Sequence, residues 1–378
     1  MMNFKKFKWG HYINYIVIGV LLAVLGGMTF TGYRFDSSLL YLLEKISISI
    51  ILAVSLSLVV GFLGELSLGH AGFMCVGAYL SGKAAVLLSA HIDNELVVFL
   101  IALLIGAAVA AICGIIIGIP ALRLRGDYLA IVTLAFGEIV KSLFQNTSSE
   151  SFGGAIGLST PRYDKKYLFI ISFVLVLVTL AVVQNFIRSK HGRAVTSIRD
   201  NEIAAKATGI NVTKYKLFAF TLSATFAGIA GVLYSFSNYT VQSAKFGYNY
   251  SIEILVMVVL GGMGSINGSI IAAALITFLN TKLATVLTGD LAVLQNLIYA
   301  VILIAIVIYN NAPAFKSFRE RFNLRTLIAK LYKHDPSRVK DDEGAWHRVP
   351  TKISVDEVLS TDIKVVESVQ DADKEDKG

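Results

Sequence analysis

The chain has 378 residues, of which 55% are hydrophobic and only 16% charged, with a formal net charge of +8. A soluble domain carries about 25% charged residues, so a water-soluble globule is excluded. The alternating ten-residue strands of a membrane barrel are also absent. The positive balance requires no nucleic acid, because the basic residues gather at the ends of apolar runs, where cytoplasmic loops of membrane proteins collect them.

Taken in chain order, apolar stretches long enough to cross about 30 Å of hydrocarbon as helix recur. They predict an all-α, polytopic helical membrane protein with about ten transmembrane helices. The spans read 12–30, 39–60, 71–90, 96–120, 128–146, 166–187, 217–238, 250–262, 267–283 and 291–310. Lys5, Lys6 and Lys8 precede the first run, Ile13–Phe30, which is longer than a signal-peptide core and lacks a small-x-small cleavage site. It reads as a retained span with its N-terminus inside. Cys75 and Cys113 fall in apolar segments and imply no disulfide framework. In the pair 250–262 and 267–283, Gly261, Gly262, Gly264 and Gly268 interrupt the run, and the first member is short for a full crossing.

Charge sets the parity. With the N-terminus inside, the first six spans return the chain to the cytoplasm at Arg188. Arg123 and Arg125 then fall inside, whereas Arg162, Lys165 and Lys166 fall outside against the trend. The basic segment with Lys316, Arg319, Arg321, Arg325, Lys330 and Lys333 should also be inside. An even number of crossings must therefore follow Lys216, and the glycine-broken element must be two helices. Both termini are cytoplasmic on this reading. Residues 1–315 form the transmembrane domain, 316–333 a basic juxtamembrane segment, and 334–378 a polar cytoplasmic tail. That tail holds twelve acids against seven Lys/Arg and reads as partly disordered.

Two stretches imitate nucleotide sites. Gly77–Ala84 (GAYLSGKA) puts Ala84 where a P-loop needs Ser or Thr for magnesium, and it lies in an apolar span rather than after a strand. Residues 261–268 (GGMGSING) lack the dinucleotide spacing and read as a bent connection between closely packed helices. No HExxH, CxxC or catalytic triad pattern stands out, so a membrane enzyme is disfavoured and the chain carries no cofactor of its own. Small residues recur every four positions, at Ser223, Ala227 and Gly231 and at Gly114 and Gly118, a spacing that lets helix backbones approach closely.

Ionisable groups at membrane depth cost a few kcal/mol unless paired or hydrated. Glu65, His70, Glu138 and Glu253 are the candidates, as a polar lining for a solute path or as polar locks between helices. For Glu65 and Glu253 the competing expectation is hydration at an interface. Glu138 lies about two turns into its span, where a role in the path or as a helix lock is expected.

The stretch Arg188–Lys216 holds seven Lys/Arg and two acids between long apolar runs. Asp200 is expected to cap a short helix through Asn201–Thr208, with Gly209 as its left-handed stop. Its alanines, Ala204, Ala205 and Ala207, suit a helix lying deep in a partner's groove, with Arg193, Arg199 and Glu202 pairing at the rim. The competing expectation is a plain positive-inside loop.

The segment 192–231, GRAVTSIRDNEIAAKATGINVTKYKLFAFTLSATFAGIAG, resembles the cytoplasmic coupling loop and following helix of ABC-importer permeases for branched-chain amino acids, the LivM type. GFLGELSLGHAGFMCVGAY at 61–79, ALRLRGDYLAIVTLAFGEIV at 121–140, GGAIGL at 153–158 and SIEILVMVVLGGMGSINGS at 251–269 agree in order. The resemblance implies a permease subunit in a bacterial cytoplasmic membrane. Its partners would be a second related permease, two ATP-binding cassette subunits that hold the ATP, and an extracytoplasmic amino-acid-binding protein. It implies that Arg193, Arg199, Asp200, Glu202, Ala204, Ala205 and Gly209 surround the ATPase contact. Ile203 departs from the family pattern, in which the acid directly precedes the alanines. The alternatives are the same machine for urea or short amides and an ion-coupled secondary transporter with Glu138 as the coupling acid.

Overall fold

The computed structural model describes residues 13–30, 36–124, 126–161 and 165–286, together with positions 297, 300, 301 and 304. The chain divides into a unit over 1–308, which contains all of these, and a unit over 309–378, which lies outside the described residues. The predicted basic segment 316–333 and tail 334–378 fall in that second unit. Lys5, Lys6, Lys8, Arg125, Arg162 and most of the predicted span 291–310 also lie outside the described residues.

The helices follow the apolar runs. They are α1 (Ile13–Phe30), α2 (Ser37–Ser57), α3 (His70–Ser89), α4 (Glu95–Ala121), α5 (Asp127–Gln145) and α6 (Ser149–Phe152). After them come α7 (Lys165–Arg188), α8 (Lys190–Asp200), α9 (Glu202–Ala207), α10 (Val212–Ser237), α11 (Tyr248–Gly261) and α12 (Ile266–Val286). Among the described residues, six helices are long and apolar enough to cross a membrane. These are α2 with its continuation to Leu63, α3, α4, α7 from Tyr167, α10 and α12. The chain is a helical membrane protein.

Polar side chains start several helices by accepting the first free backbone N–H groups. Asp36 does so for α2, Asn94 for α4, Ser189 for α8, Asn201 for α9 and Asn211 for α10. Helix α2 continues as a π-helical turn, Leu58–Leu63, which Gly64 ends in the left-handed conformation at φ 79°.

Helix α2 is the axis of the bundle, packed on α7, α10, α11 and α12, while α10 also packs on α3 and α4. In the apolar window of α2 89% is buried, against 28% for α4. The buried axis carries Glu44, Ser47, Ser49, Ser55 and Ser57, whereas α4 exposes Leu104, Ile112, Ile116 and Ile119. This suits a bilayer, where an apolar face can meet lipid and polar groups must find partners inside.

Small residues bring α3, α4 and α10 together, as their spacing predicts. A Cβ on Gly77 would fall 2.6 Å from the Cα of Gly228, and one on Gly114 would fall 2.8 Å from the Cβ of Ala224. At such distances only glycine lets the backbones touch. Ala227 is fully buried, and the Ser223 hydroxyl donates to the Ser55 carbonyl at 2.6 Å.

The connections sort into two ends. At one end Arg199 reaches the Gly61 carbonyl, Gly61 packs on the backbone of Gly264, and Gly118 lies against Leu217. At the other end β1 (Leu158–Ser159) pairs antiparallel with β2 (Thr240–Val241), and Tyr41 donates to Asn238. Ile92, Asp93 and Pro161 meet at that same end. The glycine-broken element is two separate helices, α11 and α12, joined through Gly262 and Gly264 at φ 91° and 82°. Residues 77–84 lie inside the continuous helix α3, with no phosphate-cradling loop.

Candidate functional site

The end that holds Gly61 and Gly264 carries most of the singled-out charges. The stretch Arg188–Lys216 is not one short helix in a loop but two helices in tandem. In α8, Gly192, Val195 and Ile198 are buried while Lys190 and Arg193 lie on the surface. The spacing of Val195 and Ile198, together with Ser189 ahead of the helix, is the sequence signal for this element.

Asp200 does not cap the second helix. It is the last residue of α8, and its carboxylate accepts from Arg199 Nε at 3.1 Å and Nη2 at 2.9 Å. The cap of α9 is Asn201, whose side-chain oxygen accepts from Ile203 N and Ala204 N, each at 3.0 Å. Asn201 sits in extended backbone at φ −159°, whereas Asp200 is already helical, so only Asn201 can aim its side chain at the free amides. The helix is Glu202–Ala207, shorter than the sequence suggests, and Gly209 ends it at φ 84° as expected.

Glu65 is not hydrated at an interface. It is 9% exposed and bonds Lys216 Nζ, and Lys216 is itself 4% exposed. The same ammonium reaches Glu202 Oε2 at 3.3 Å, and Glu202 takes Lys206 Nζ on its other oxygen at 2.9 Å. One lysine at the base of α10 therefore joins the segment after α2 to α9. Lys206 beside Glu202, with the charge of Lys216 adding, holds its carboxyl below the usual carboxylate range. Burial opposes this shift. Arg199 adds a second tie, from Nη1 to the Gly61 carbonyl at 3.0 Å. A pairing 151 residues apart has no local sequence signal, and Lys216 reads in sequence as one more loop cation.

Around this cluster α9 presents a small exposed apolar face. Ile203 is 79% exposed, and Ala204, Ala207 and Gly209 are exposed beside it. Ala205 is buried against the bundle. Arg193 lies on the surface and donates to the Arg188 carbonyl at 3.0 Å.

The remaining candidates lie elsewhere. His70 begins α3, is buried, and shares a 2.8 Å hydrogen bond with Ser55 Oγ on α2. Glu138 is at the opposite end, where it accepts from Tyr248 N at 2.7 Å and pairs with Lys141 at 2.8 Å. A carboxylate on the first amide of α11 also meets the positive end of that helix, so Glu138 fastens α5 to α11. Glu253 is near the same end, takes Asn280 Nδ2 at 3.0 Å, and lines a cavity. Among the described residues, no group of three or more His, Cys, Asp or Glu is placed to hold a metal.

Comparison with known proteins gives consistent likenesses. The family described as branched-chain amino acid transport system / permease component matches residues 38–307. The high-affinity branched-chain amino acid transport system permease protein LivM of Escherichia coli strain K12 is 38% identical over 261 residues, 61% of this chain and 60% of the relative. The LivM protein of Salmonella typhimurium is 37% identical over the same shares. The ribose import permease protein RbsC of Escherichia coli strain K12 is 27% identical over 311 residues, 78% of this chain and 92% of that one. The chain thus spans about three-fifths of the length of the LivM relatives. No solved structure matches.

Proposed function

From the premise that the chain belongs to the family of branched-chain amino acid transport system permease components, we propose that it is the membrane-spanning subunit of an ATP-driven ABC importer. Its solute is a branched-chain or related neutral amino acid; the LivM relatives are named for branched-chain amino acid transport. ATP is bound by two separate cassette subunits. A second permease and an extracytoplasmic binding protein complete the assembly, which sits in the cytoplasmic membrane of a bacterium. The end that carries α8 and α9 faces the cytoplasm, with both termini on that side and about ten crossings in all.

The observation that carries this reading is the triad Glu65–Lys216–Glu202 beneath the exposed face of α9. A cassette subunit gripping Ile203, Ala204 and Gly209 takes hold of a short helix that is ion-paired into the bundle. Glu202 on α9 contacts Lys216, which is itself held by the buried Glu65, so motion of α9 is passed to Lys216 and through it to Glu65. Lys216 moves the base of α10. Glu65 follows Gly64, whose left-handed backbone ends the π-helical turn of the axial helix α2. One push on α9 thereby reaches the two helices on which most of the bundle packs.

The test is uptake of labelled leucine by cells that depend on this chain, compared with Glu202→Lys and Gly209→Pro variants. Both variants should abolish uptake and lose the cassette subunits on purification. Unchanged uptake with unchanged co-purification sinks the coupling role.

A further inference from the structure

The cavity at the far end of α2 has about 410 Å³ and is walled by α2, α10, α11, α12 and the turn Ser243–Phe246. A volume of that order holds a small-molecule ligand. Three charged side chains line it: Lys45, Lys245 and Glu253. At 1.5 Å per residue, Lys45 lies about 12 Å along α2 from its start and Glu253 about 7 Å along α11 from its start. They are therefore about two turns and about one and a half turns below the end that carries β1 and β2, and α2 separates them from the Glu65 cluster.

Lys45 is within electrostatic reach of both Lys245 and Glu253. Among the described residues, none of the three forms an ion pair. Lys45 is half-buried and Lys245 stands at the exposed rim, so the lining presents both signs of charge, not ion-paired with one another, and a ligand that carries both signs can meet each. The carboxylate of Glu253 is already oriented by Asn280 through Oε1, and a carboxylate retains further acceptor sites for a cationic donor. Ile48 and Phe246 supply apolar wall between these groups.

We infer that this cavity is a solute site for a zwitterion with an aliphatic side chain. The ligand carboxylate accepts from Lys45 and Lys245, its ammonium donates to Glu253, and its side chain rests on Ile48 and Phe246. A neutral amide or sugar has no charged group to set against either sign, so the site separates zwitterions from such solutes. The choice of a branched-chain amino acid as ligand rests on the import reading above; the charge pattern itself does not.

The test is equilibrium binding to the full-length chain in lipid nanodiscs, read by saturation-transfer NMR at millimolar ligand. The probes are L-leucine, L-leucinamide without the carboxylate, 4-methylpentanoate without the ammonium, and urea. Leucine should bind saturably, and each of the other three at least about tenfold more weakly, a loss of about 1.4 kcal/mol. Lys245→Gln and Glu253→Gln should each weaken leucine by the same order, and Lys245→Arg should retain it. The inference is overturned if leucine shows no saturable binding. It is also overturned if leucinamide or 4-methylpentanoate binds as tightly as leucine, or if folded Lys245→Gln and Glu253→Gln chains bind leucine as the parent does. The probe series on the parent chain decides the matter even if a variant fails to fold. Leucine uptake by cells is scored separately: its absence sinks the import reading, while the binding arms alone decide the cavity.

Discussion

The two ends of the bundle use the same residue types in opposite ways. At one end a single buried ammonium, Lys216, lies between two carboxylates, Glu65 and Glu202, in direct contact with both. At the other end two ammonium groups, Lys45 and Lys245, share an open cavity with one carboxylate, and among the described residues they are not in contact with it. The first arrangement is closed: with Lys206 on the other oxygen of Glu202, two ammonium groups meet two carboxylates in direct contact, and they hold α9 and α10 to the segment after α2. The second is unfinished, and what it lacks is an anionic group with a cationic one beside it. Charge count alone does not separate a lock from a binding site; contact does.

The largest effect that would break this comparison is at Lys216. A Lys216→Met substitution leaves Glu65 buried without its cation and should destabilise the chain by about 3–5 kcal/mol. Thermal unfolding in detergent would show it. The double substitution Lys216→Met with Glu65→Leu should recover most of the loss, because removing both members of a buried pair is close to neutral. A single variant as stable as the parent would mean that this end is not closed.

Next comes the exposed face that the lock supports. Ile203→Asp should weaken retention of the cassette subunits about tenfold, or about 1.4 kcal/mol. The unfolding midpoint should stay within about 0.5 kcal/mol of the parent, since Ile203 is largely exposed. Pull-down against subunit concentration measures the first, and a melting curve the second. At the far end Glu138→Gln should cost about 1 kcal/mol, the order of a charged hydrogen bond at a partly exposed helix start. Glu253→Gln should change stability by no more than about 0.5 kcal/mol, because the amide can still accept from Asn280. A loss at Glu253 as large as that at Lys216 would make the cavity another lock.

The smallest effect is acid sensitivity at Glu202. Lys206 keeps its folded-state titration below the unfolded value. The pairing therefore contributes fully above the unfolded value of about 4.3 and is lost as pH falls through the lower folded value. Retention of the cassette subunits should be flat from neutral pH to about pH 5 and should decline below about pH 4. In Glu202→Gln that decline should be shallower.

Several features are readable from residue order. The nine spans predicted between residues 12 and 283 each coincide with a helix to within a few residues, because an apolar run leaves its backbone no partner in lipid except its own. Gly209, Gly262 and Gly264 mark left-handed positions where a side chain would be strained, and each ends or turns a helix as expected. The small residues on α4 and α10 point to close packing and are found there. The cap of α9 lies one residue beyond the expected Asp200, since Asp200 and Asn201 are both good caps and only the backbone distinguishes them. Helix α8 is hidden in the sequence because its mainly polar composition resembles a positive-inside loop, and only Val195 and Ile198 betray its buried side.

Sequence by itself determined the class of molecule, the positions of its helices and the polar, basic stretch that interrupts them. These follow from local properties: apolar length, glycine geometry and runs of charge. Tertiary structure alone decided what each ionisable group does. Glu65, Glu138 and Glu253 are alike in sequence, each an acid near or within an apolar run. Folding places one against Lys216, one on the first amide of α11 and one on the wall of a cavity. The difference is physical: a charge in a low-dielectric surrounding is governed by what lies within a few ångströms of it, and its partners here come from elements more than a hundred residues away or from a cavity that five separate elements enclose.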